Sequence, residues 1–263
     1  MVIFKYEMRQ LRTYTLWWSI AVAVAIFFML PTYMSFMSSG VVDISVIGNT
    51  ELFEMFGFEI SVLTTPIGTL AFLTSFLAIV AGVNGMFLGL NTFTKETVGK
   101  SSEFIYTKPY KRGNIFCAKV ISAIISAAVI GISYYVGAVL STFINITEGF
   151  DFRMTSLIAL SFMLIEIFLV LFGAFIGVLY SKIRTPLLVS SGVAFMFYVL
   201  MSFSNKVRAD AIKYFTPYSY FNAGKIIDSG GYDTFYMIAF AIFCVTFTVS
   251  GYVIFIKKDI KFI

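Results

Sequence analysis

Few side chains in this sequence are of the types that catalyse reactions, and their positions argue against catalysis. The chain has 263 residues and no histidine, which excludes a zinc-protease helix and a serine–histidine dyad. Its two cysteines, Cys117 and Cys244, are far apart in the sequence and lack the spacing of metal ligands. We therefore expect a protein that is not an enzyme and has no metal site or cofactor of its own.

A short stretch of the sequence resembles part of a nucleotide-binding motif. Gly99, Lys100 and Ser101 match the end of the phosphate-binding loop G-x-x-x-x-G-K-S, but the position of its first glycine holds Thr94. An apolar helix rather than a strand is predicted before it. We therefore expect no nucleotide to bind through this motif, so any work driven by ATP requires a separate subunit.

An acidic residue, Glu166, lies near the middle of an apolar stretch long enough to cross a bilayer. An ionised carboxylate at such a depth is costly unless it is paired, hydrated or protonated. Glu166 is therefore a candidate for lining a transport pathway, for contacting a cationic substrate or for bonding to another helix. The structural alternative is a hydrogen bond to Asn84 or to a serine or threonine hydroxyl, and the sequence leaves these alternatives open.

The composition identifies the elements that must position these residues. Hydrophobic residues make up 59% of the chain and charged residues 13%, against roughly a quarter charged in soluble domains. Apolar stretches of about 20 residues cross a bilayer as helices, because lipid leaves no partner for open backbone groups. We therefore predict an all-α integral membrane protein with one transmembrane domain over 1–263. Its six predicted transmembrane helices cover 16–37, 66–93, 115–144, 154–180, 186–203 and 235–256.

The distribution of basic residues sets the orientation of these spans. With a cytoplasmic N-terminus, the inner segments carry 14 of the 19 lysines and arginines and the outer segments carry 5. The positive-inside rule then places both termini in the cytoplasm. The net charge of +5 follows from this clustering, so we expect a multi-pass protein of the cytoplasmic membrane that binds the lipid bilayer and no nucleic acid.

Residues 1–14 precede the first span and have an amphipathic pattern. Phe4, Met8 and Leu11 recur at helical spacing, while basic residues occupy another face. This pattern predicts a short interfacial helix on the cytoplasmic leaflet that turns into the first span. The alternative is a disordered basic tail.

Small residues recur at helical spacing in the second and fourth spans. Gly85 and Gly89 form a G-x-x-x-G pair in the second span, and Gly173 and Gly177 form another in the fourth. Such pairs permit the close approach of helices in a membrane. We expect them to pack within the chain, and the alternative is a seam between two copies.

The loop over 94–113 is the longest predicted cytoplasmic segment between spans. It contains a candidate short helix over 101–107, which Pro109 ends because proline disfavours helical angles in the residue before it. Phe104, Ile105 and Tyr106 place apolar bulk on this exposed segment. An exposed apolar patch among charges usually marks a protein interface, although the loop could instead contact anionic lipid headgroups.

This loop resembles the segment E-x-x-G-x-x-x-E-(two apolar)-x-x-x-P-x-x-R that lies between spans two and three of type-2 ABC transporter permeases. The positions that carry the resemblance are Glu96, Gly99, Glu103, Phe104, Ile105, Pro109 and Arg112. A second segment, 205–234, contains Pro217 and Tyr218 in a run similar to the family's apolar-x-P-x-x-Y-F signature. The sequence departs from the family at Ala118, where a glycine often precedes the lysine.

The resemblance implies a cytoplasmic coupling helix within 94–113 that docks into a separate ABC ATPase subunit, which binds ATP and Mg. Phe104 and Ile105 would be its buried anchors, with Glu103 and Arg112 as rim charges. Two permease chains, identical or different, would pair above two ATPases. The external segment 205–234 would form re-entrant helices, with Pro217 and Tyr218 at the outer gate.

The predicted function is the permease subunit of an ATP-driven ABC exporter. Abundant aromatic residues and the lack of large external domains favour an amphipathic or hydrophobic substrate, such as a peptide toxin, an antimicrobial peptide or a drug. Small peptide-toxin exporters of bacteria, such as those for phenol-soluble modulins, are the preferred comparison. The alternative is an ion- or proton-coupled secondary transporter that uses Glu166.

Overall fold

A computed structural model describes residues 2–38, 65–98, 111–145, 150–207 and 210–257 of the chain. Within these ranges the chain forms nine helices and no strand, as the all-α prediction requires. In chain order they are α1 (Val2–Ser38), α2 (Pro66–Val98), α3 (Arg112–Asn145), α4 (Phe152–Leu179), α5 (Pro186–Val207), α6 (Asp210–Lys213), α7 (Pro217–Tyr220), α8 (Ala223–Ser229) and α9 (Thr234–Lys257).

Six of these helices, α1 to α5 and α9, are long and apolar enough to cross a membrane. Each overlaps one predicted span, so the prediction of six transmembrane helices is confirmed at this level. The helices on either side of the predicted cytoplasmic loop are longer than expected. The second span continues to Val98 and the third begins at Arg112, so both ends of the predicted loop range 94–113 are helical.

The first helix differs from the prediction for residues 1–14. We expected a separate interfacial helix and a turn before the span, whereas α1 is continuous from Val2 to Ser38. Its 37 residues extend about 55 Å, well beyond a hydrocarbon core of about 30 Å. The reason for the continuity is a buried stripe with a spacing of four residues, consisting of Glu7, Leu11, Thr15 and Ser19. This stripe packs the N-terminal turns of α1 against the bundle.

The centre of the bundle is the parallel pair α2 and α4, which approach each other through glycines. A Cβ atom at Gly85 would overlap the carbonyl oxygen of Glu166, and one at Gly89 would overlap that of Val170. From the other side, a Cβ at Gly173 would overlap the carbonyl oxygen of Met86. The small residues therefore pack within the chain, as expected, and fix the depth of Glu166 against α2.

The other spans surround this pair. The third helix contacts α4 through stacked rings of Tyr134 and Phe162, whose centroids are 4.1 Å apart. The first helix lies parallel to α3, where Ser141 donates a hydrogen bond to the carbonyl oxygen of Phe27 at 3.0 Å. The sixth span, α9, is peripheral, and Gly251 is its buried residue.

The segment between the last two spans folds into the three short helices α6, α7 and α8. All four residues of α7 are buried, and the Tyr218 hydroxyl lies against Gly82 near the midpoint of α2. The Asn222 side chain caps α8 by accepting a hydrogen bond from the Lys225 backbone NH at 3.1 Å. Gly230 ends that helix with a φ of 73°, a conformation that glycine adopts without steric cost.

Candidate functional site

The structure describes only part of the predicted ATPase-coupling segment. Glu96 lies in the last turn of α2, and Arg112 is the first residue of α3. The Arg112 guanidinium donates a hydrogen bond to the carbonyl oxygen of Ile256 at the end of α9, at 3.3 Å. The predicted coupling residues that lie outside the described residues are Gly99, Glu103, Phe104, Ile105 and Pro109. Their role in coupling therefore stays a prediction.

A charged cluster joins the two helix ends that flank this segment, and its acidic member is Glu7 of α1. One oxygen, Oε2, lies 2.5 Å from the Lys95 ammonium of α2. The other, Oε1, lies 2.9 Å from the Lys119 ammonium of α3. The side chains of Glu7 and Lys119 are each 1% exposed and that of Lys95 is 19% exposed. Because the positive-inside rule predicts that this end of the bundle faces the cytoplasm, we name Glu7, Lys95 and Lys119 the cytoplasmic ion cluster.

Neutral groups complete the hydrogen bonding of this cluster. Lys95 also donates to Oε1 of the Gln10 side chain at 2.5 Å, and Lys119 donates to the carbonyl oxygen of Thr92 at 2.9 Å. The Lys119 ammonium also lies 5.8 Å from the centre of the Phe93 ring, within the range of cation–π attraction. A buried ion pair is tolerated when its remaining donors find such partners. The cluster is therefore a well-satisfied junction of three helices.

Glu166 and Asn84 meet in the middle of the bundle, as one of the alternatives from the sequence predicted. The Asn84 amide donates to Oε1 of Glu166 at 2.5 Å, and the Tyr14 hydroxyl donates to the amide oxygen of Asn84. This series of two hydrogen bonds links α1, α2 and α4. The predicted hydrogen bond between Asn84 and Glu166 is thus present. A role of either residue in the translocation pathway stays a prediction.

The hydrogen bonding of Glu166 is incomplete. The carboxyl is fully buried, and its second oxygen, Oε2, is without a hydrogen-bond partner. A buried polar atom without a partner is rare in proteins and often belongs to a working site. The available chemistry at this point is that of a lone carboxyl beside an amide, which is suited to hydrogen bonding or to exchanging a proton.

The predicted gate residues Pro217 and Tyr218 are both buried. The rings of Tyr218 and Tyr198 meet edge to face with centroids 5.5 Å apart. Burial raises the pKa of the Tyr218 phenol, and the neighbouring Tyr198 adds to the rise. Tyr218 is therefore a neutral hydrogen-bond donor, and the structure shows its hydroxyl without a partner.

A small cavity adjoins these tyrosines. Its volume is about 10 Å³, which is the space of about one water molecule. Its polar lining consists of Thr74, Ser75, Ser161, Tyr198, Tyr218 and Asn222. A substrate pocket is usually some thirty times larger or more, roughly 300–1,000 Å³, so the bundle is closed at this level.

Potential metal ligands do not gather anywhere in the described ranges: no group of three or more histidine, cysteine, aspartate or glutamate residues occurs there. The cysteines are unpaired, with Cys117 exposed and Cys244 half-buried. The described residues therefore offer no assembled metal site.

Comparison with known families decides the class of the protein. The family described as ABC-2 family transporter protein matches residues 1–260. The chain belongs to this ABC-2 family. Membership makes it a membrane component of an ABC transporter, which confirms the resemblance to type-2 ABC permeases at that level. No curated protein and no solved structure matches the chain.

In this ABC-2 permease, sequence reasoning identified Glu166 and Asn84 but missed the cytoplasmic ion cluster. Lys119 falls near the start of the predicted third span, and the structure buries it within α3. The signal that could have revealed the cluster is Glu7 itself. It is the acidic residue of a basic N-terminal segment, and it lies in register with Leu11 on the buried stripe of α1.

Proposed function

We propose that this chain is the permease subunit of an ATP-driven exporter, that two such chains pair, and that each engages a separate cytoplasmic ATPase subunit. The observation that carries the proposal is the ABC-2 family match over residues 1–260, in a chain with six helices able to span a membrane. ATP and Mg would be bound by the ATPase, since this chain carries no complete phosphate-binding motif.

The route of coupling runs through the segment 99–110 between α2 and α3. Both of these helices enter the bundle directly, and a rigid connection at a helix end transmits the displacement of a partner better than a loose tether does. Phe104 and Ile105 supply the apolar contact that a docking helix requires, because buried anchors carry most interface energy. Glu96, Gly99, Glu103, Pro109 and Arg112 complete the proposed coupling segment.

The substrate class we propose is amphipathic or hydrophobic, in the cytoplasmic membrane of a bacterium. The chain is rich in aromatic residues, with 31 Phe and 15 Tyr, and among the described residues the cavity beside Tyr218 has a volume of about 10 Å³, which is too small for a drug-sized molecule. A substrate that enters from the lipid phase needs no preformed pocket at that level. Peptide toxins, antimicrobial peptides and drugs all have this character.

The outer gate in this proposal is the buried turn of α7. Pro217 is buried beside Tyr218, and the Tyr218 hydroxyl reaches Gly82 near the middle of α2, which suits re-entrant helices that close the outer half of the bundle. Opening toward the outside would then move Tyr218 away from Gly82.

The test is to purify the tagged chain from its native membrane and to identify proteins that accompany it. We expect a nucleotide-binding subunit, and we expect the double variant Phe104→Ala/Ile105→Ala to lose it while the chain stays folded. Leu187→Ala/Leu188→Ala is the matched control, since those two side chains are exposed on α5. Retention of the ATPase and of ATP-dependent export by the Phe104/Ile105 variant would contradict the proposal.

A secondary transporter that uses Glu166 is the alternative from the sequence. The lone carboxyl with a free oxygen is the feature that suits it, whereas the family match favours an ABC transporter. Export that continues after a proton gradient is collapsed, and stops when ATP is removed, would decide for the ATP-driven mechanism.

A further inference from the structure

The cytoplasmic ion cluster sits at the two helix ends through which an ATPase would act. Lys95 is three residues from the end of α2 at Val98, and Lys119 is seven residues from the start of α3 at Arg112. At about 1.5 Å per residue these positions lie about 5 Å and 10 Å from the segment 99–110. Both ends of that segment are thus tied to one carboxylate on α1.

The geometry makes this tie a rigid one. Each oxygen of Glu7 contacts a different ammonium. The carboxylate therefore holds α2 and α3 at the same time, one through each oxygen. Lys119 also bonds to the Thr92 carbonyl, which joins α3 to α2 directly. Moving α1 or α3 alone would separate the buried Glu7 carboxylate from the buried Lys119 ammonium, and such a separation is strongly unfavourable. Moving α2 alone would break the hydrogen bond from Lys119 to the Thr92 carbonyl and the ion pair with the partly exposed Lys95.

The first helix is suited to carry the motion onward. It is helical from Val2 to Ser38 and its first interior proline is Pro31, so a displacement at Glu7 is passed along the helix as far as Pro31, where a backbone hydrogen bond is missing. One and two turns further along the same buried stripe, Leu11 and Thr15 are buried as well. At Tyr14 the helix bonds to Asn84 and so reaches Glu166.

We propose that Glu7 is a positioning residue that makes the cytoplasmic ends of α1, α2 and α3 move as one body, so that displacement of the segment 99–110 also tilts α1. This role rests on the proposed function as an ATP-driven permease. Without Glu7 the same displacement is absorbed between the helix ends, and ATP hydrolysis continues with little transport.

The obvious variant, Glu7→Gln, leaves two ammonium groups without their counter-charge and is open to misfolding. The double variant Glu7→Gln/Lys119→Met avoids this problem, because it removes the carboxylate together with the more deeply buried ammonium. The remaining Lys95 has access to water. The matched control is Arg9→Gln, which removes a charge from the exposed face of the same helix.

The first measurement needs no ATPase. Spin labels are attached at Cys117, which is exposed on α3, and at a cysteine introduced by Arg12→Cys on the exposed face of α1, in a Cys244→Ser background. We expect a narrow distance distribution in the parent protein and a broad one in the double variant. An unchanged narrow distribution would overturn the proposal, because the helix ends would then be held without the ion cluster.

The second measurement uses proteoliposomes that contain the permease and its ATPase, with substrate exported per ATP hydrolysed as the readout. We expect the double variant to bind the ATPase and to export at least about fivefold less substrate per ATP hydrolysed than the parent. A factor of about five is the lower end of typical coupling between two sites. Full coupling in a folded double variant would overturn the proposal and leave Glu7 as a stabilising group only. If the parent chain itself binds no ATPase, the proposed function fails, whatever the spin labels report.

Discussion

Glu7 and Glu166 are both fully buried glutamates, but the groups that surround them differ in charge. Glu7 contacts two ammonium groups at one end of the bundle, whereas Glu166 contacts a neutral amide near its middle. The negative charge of Glu7 is balanced by the two lysines, so this site can hold its three helices together as an ion cluster. A negative charge on Glu166 would have no such balance, so this site favours the protonated carboxyl or the binding of a further partner.

The comparison predicts that Glu7 contributes much more to stability than Glu166 does. Glu7→Gln leaves two ammonium groups without their counter-charge. We therefore expect the free energy of unfolding to fall by about 3–5 kcal/mol, the usual cost of removing one partner of a buried ion pair. Unfolding of the purified protein in an SDS titration measures this loss. Arg9→Gln should stay within about 0.5 kcal/mol of the parent, and an equally small effect of Glu7→Gln would remove the contrast.

A second prediction concerns the glycines that set the position of Glu166. Gly85→Val places side-chain atoms where the Glu166 carbonyl now lies, and overpacking of this kind costs about 1–3 kcal/mol. Gly192→Val is the control, since a Cβ there meets nothing within 4 Å. We expect the same SDS titration to separate the two variants. Equal stability of both would mean that α2 and α4 are not held by this close contact.

We expect a smaller loss of stability when the hydrogen bond from Tyr14 to Asn84 is removed. Tyr14→Phe removes the donor to Asn84 and leaves the ring in place, so we expect a loss of about 0.5–1.5 kcal/mol, the net value of a typical hydrogen bond. Tyr180→Phe, at an exposed residue that follows α4, serves as the control. If Tyr14→Phe behaves like Tyr180→Phe, the hydrogen bond from α1 to the Asn84–Glu166 pair does not contribute to stability.

The smallest expected effect on stability is that of Glu166→Gln. A glutamine oxygen still accepts from Asn84, so we expect a change below about 1 kcal/mol and intact assembly. Transport is the informative readout. A large loss of export in this folded variant would assign Glu166 to the pathway, whereas parental export would assign it to structure alone.

The spans were predictable because hydrophobicity is a local property of the sequence. The glycine pairs of α2 and α4 were predictable for the same reason, since each pair lies within one helix. Asn84 was a natural partner for Glu166, because both lie near the middle of their spans. These features need no knowledge of how the helices are rotated about their axes.

The ion cluster was not predictable in this way. Glu7 and Lys119 are 112 residues apart, and their contact depends on the rotation and depth of two separate helices. The continuity of α1 was not predicted from the sequence for a related reason. The charged residues near its start indicated the membrane surface, whereas the helix continues through them because its opposite side, with Glu7 and Leu11, packs against the bundle.

The sparse burial of α9 has a consequence for the tolerance of this chain to change. Gly251 is its buried residue, and about half of its residues are exposed on the side that points away from the bundle. On that exposed side, hydrophobicity and length matter more than the fit of individual side chains. Away from the phenylalanines that face α4, we expect shuffled aliphatic sequences to replace this helix with little penalty.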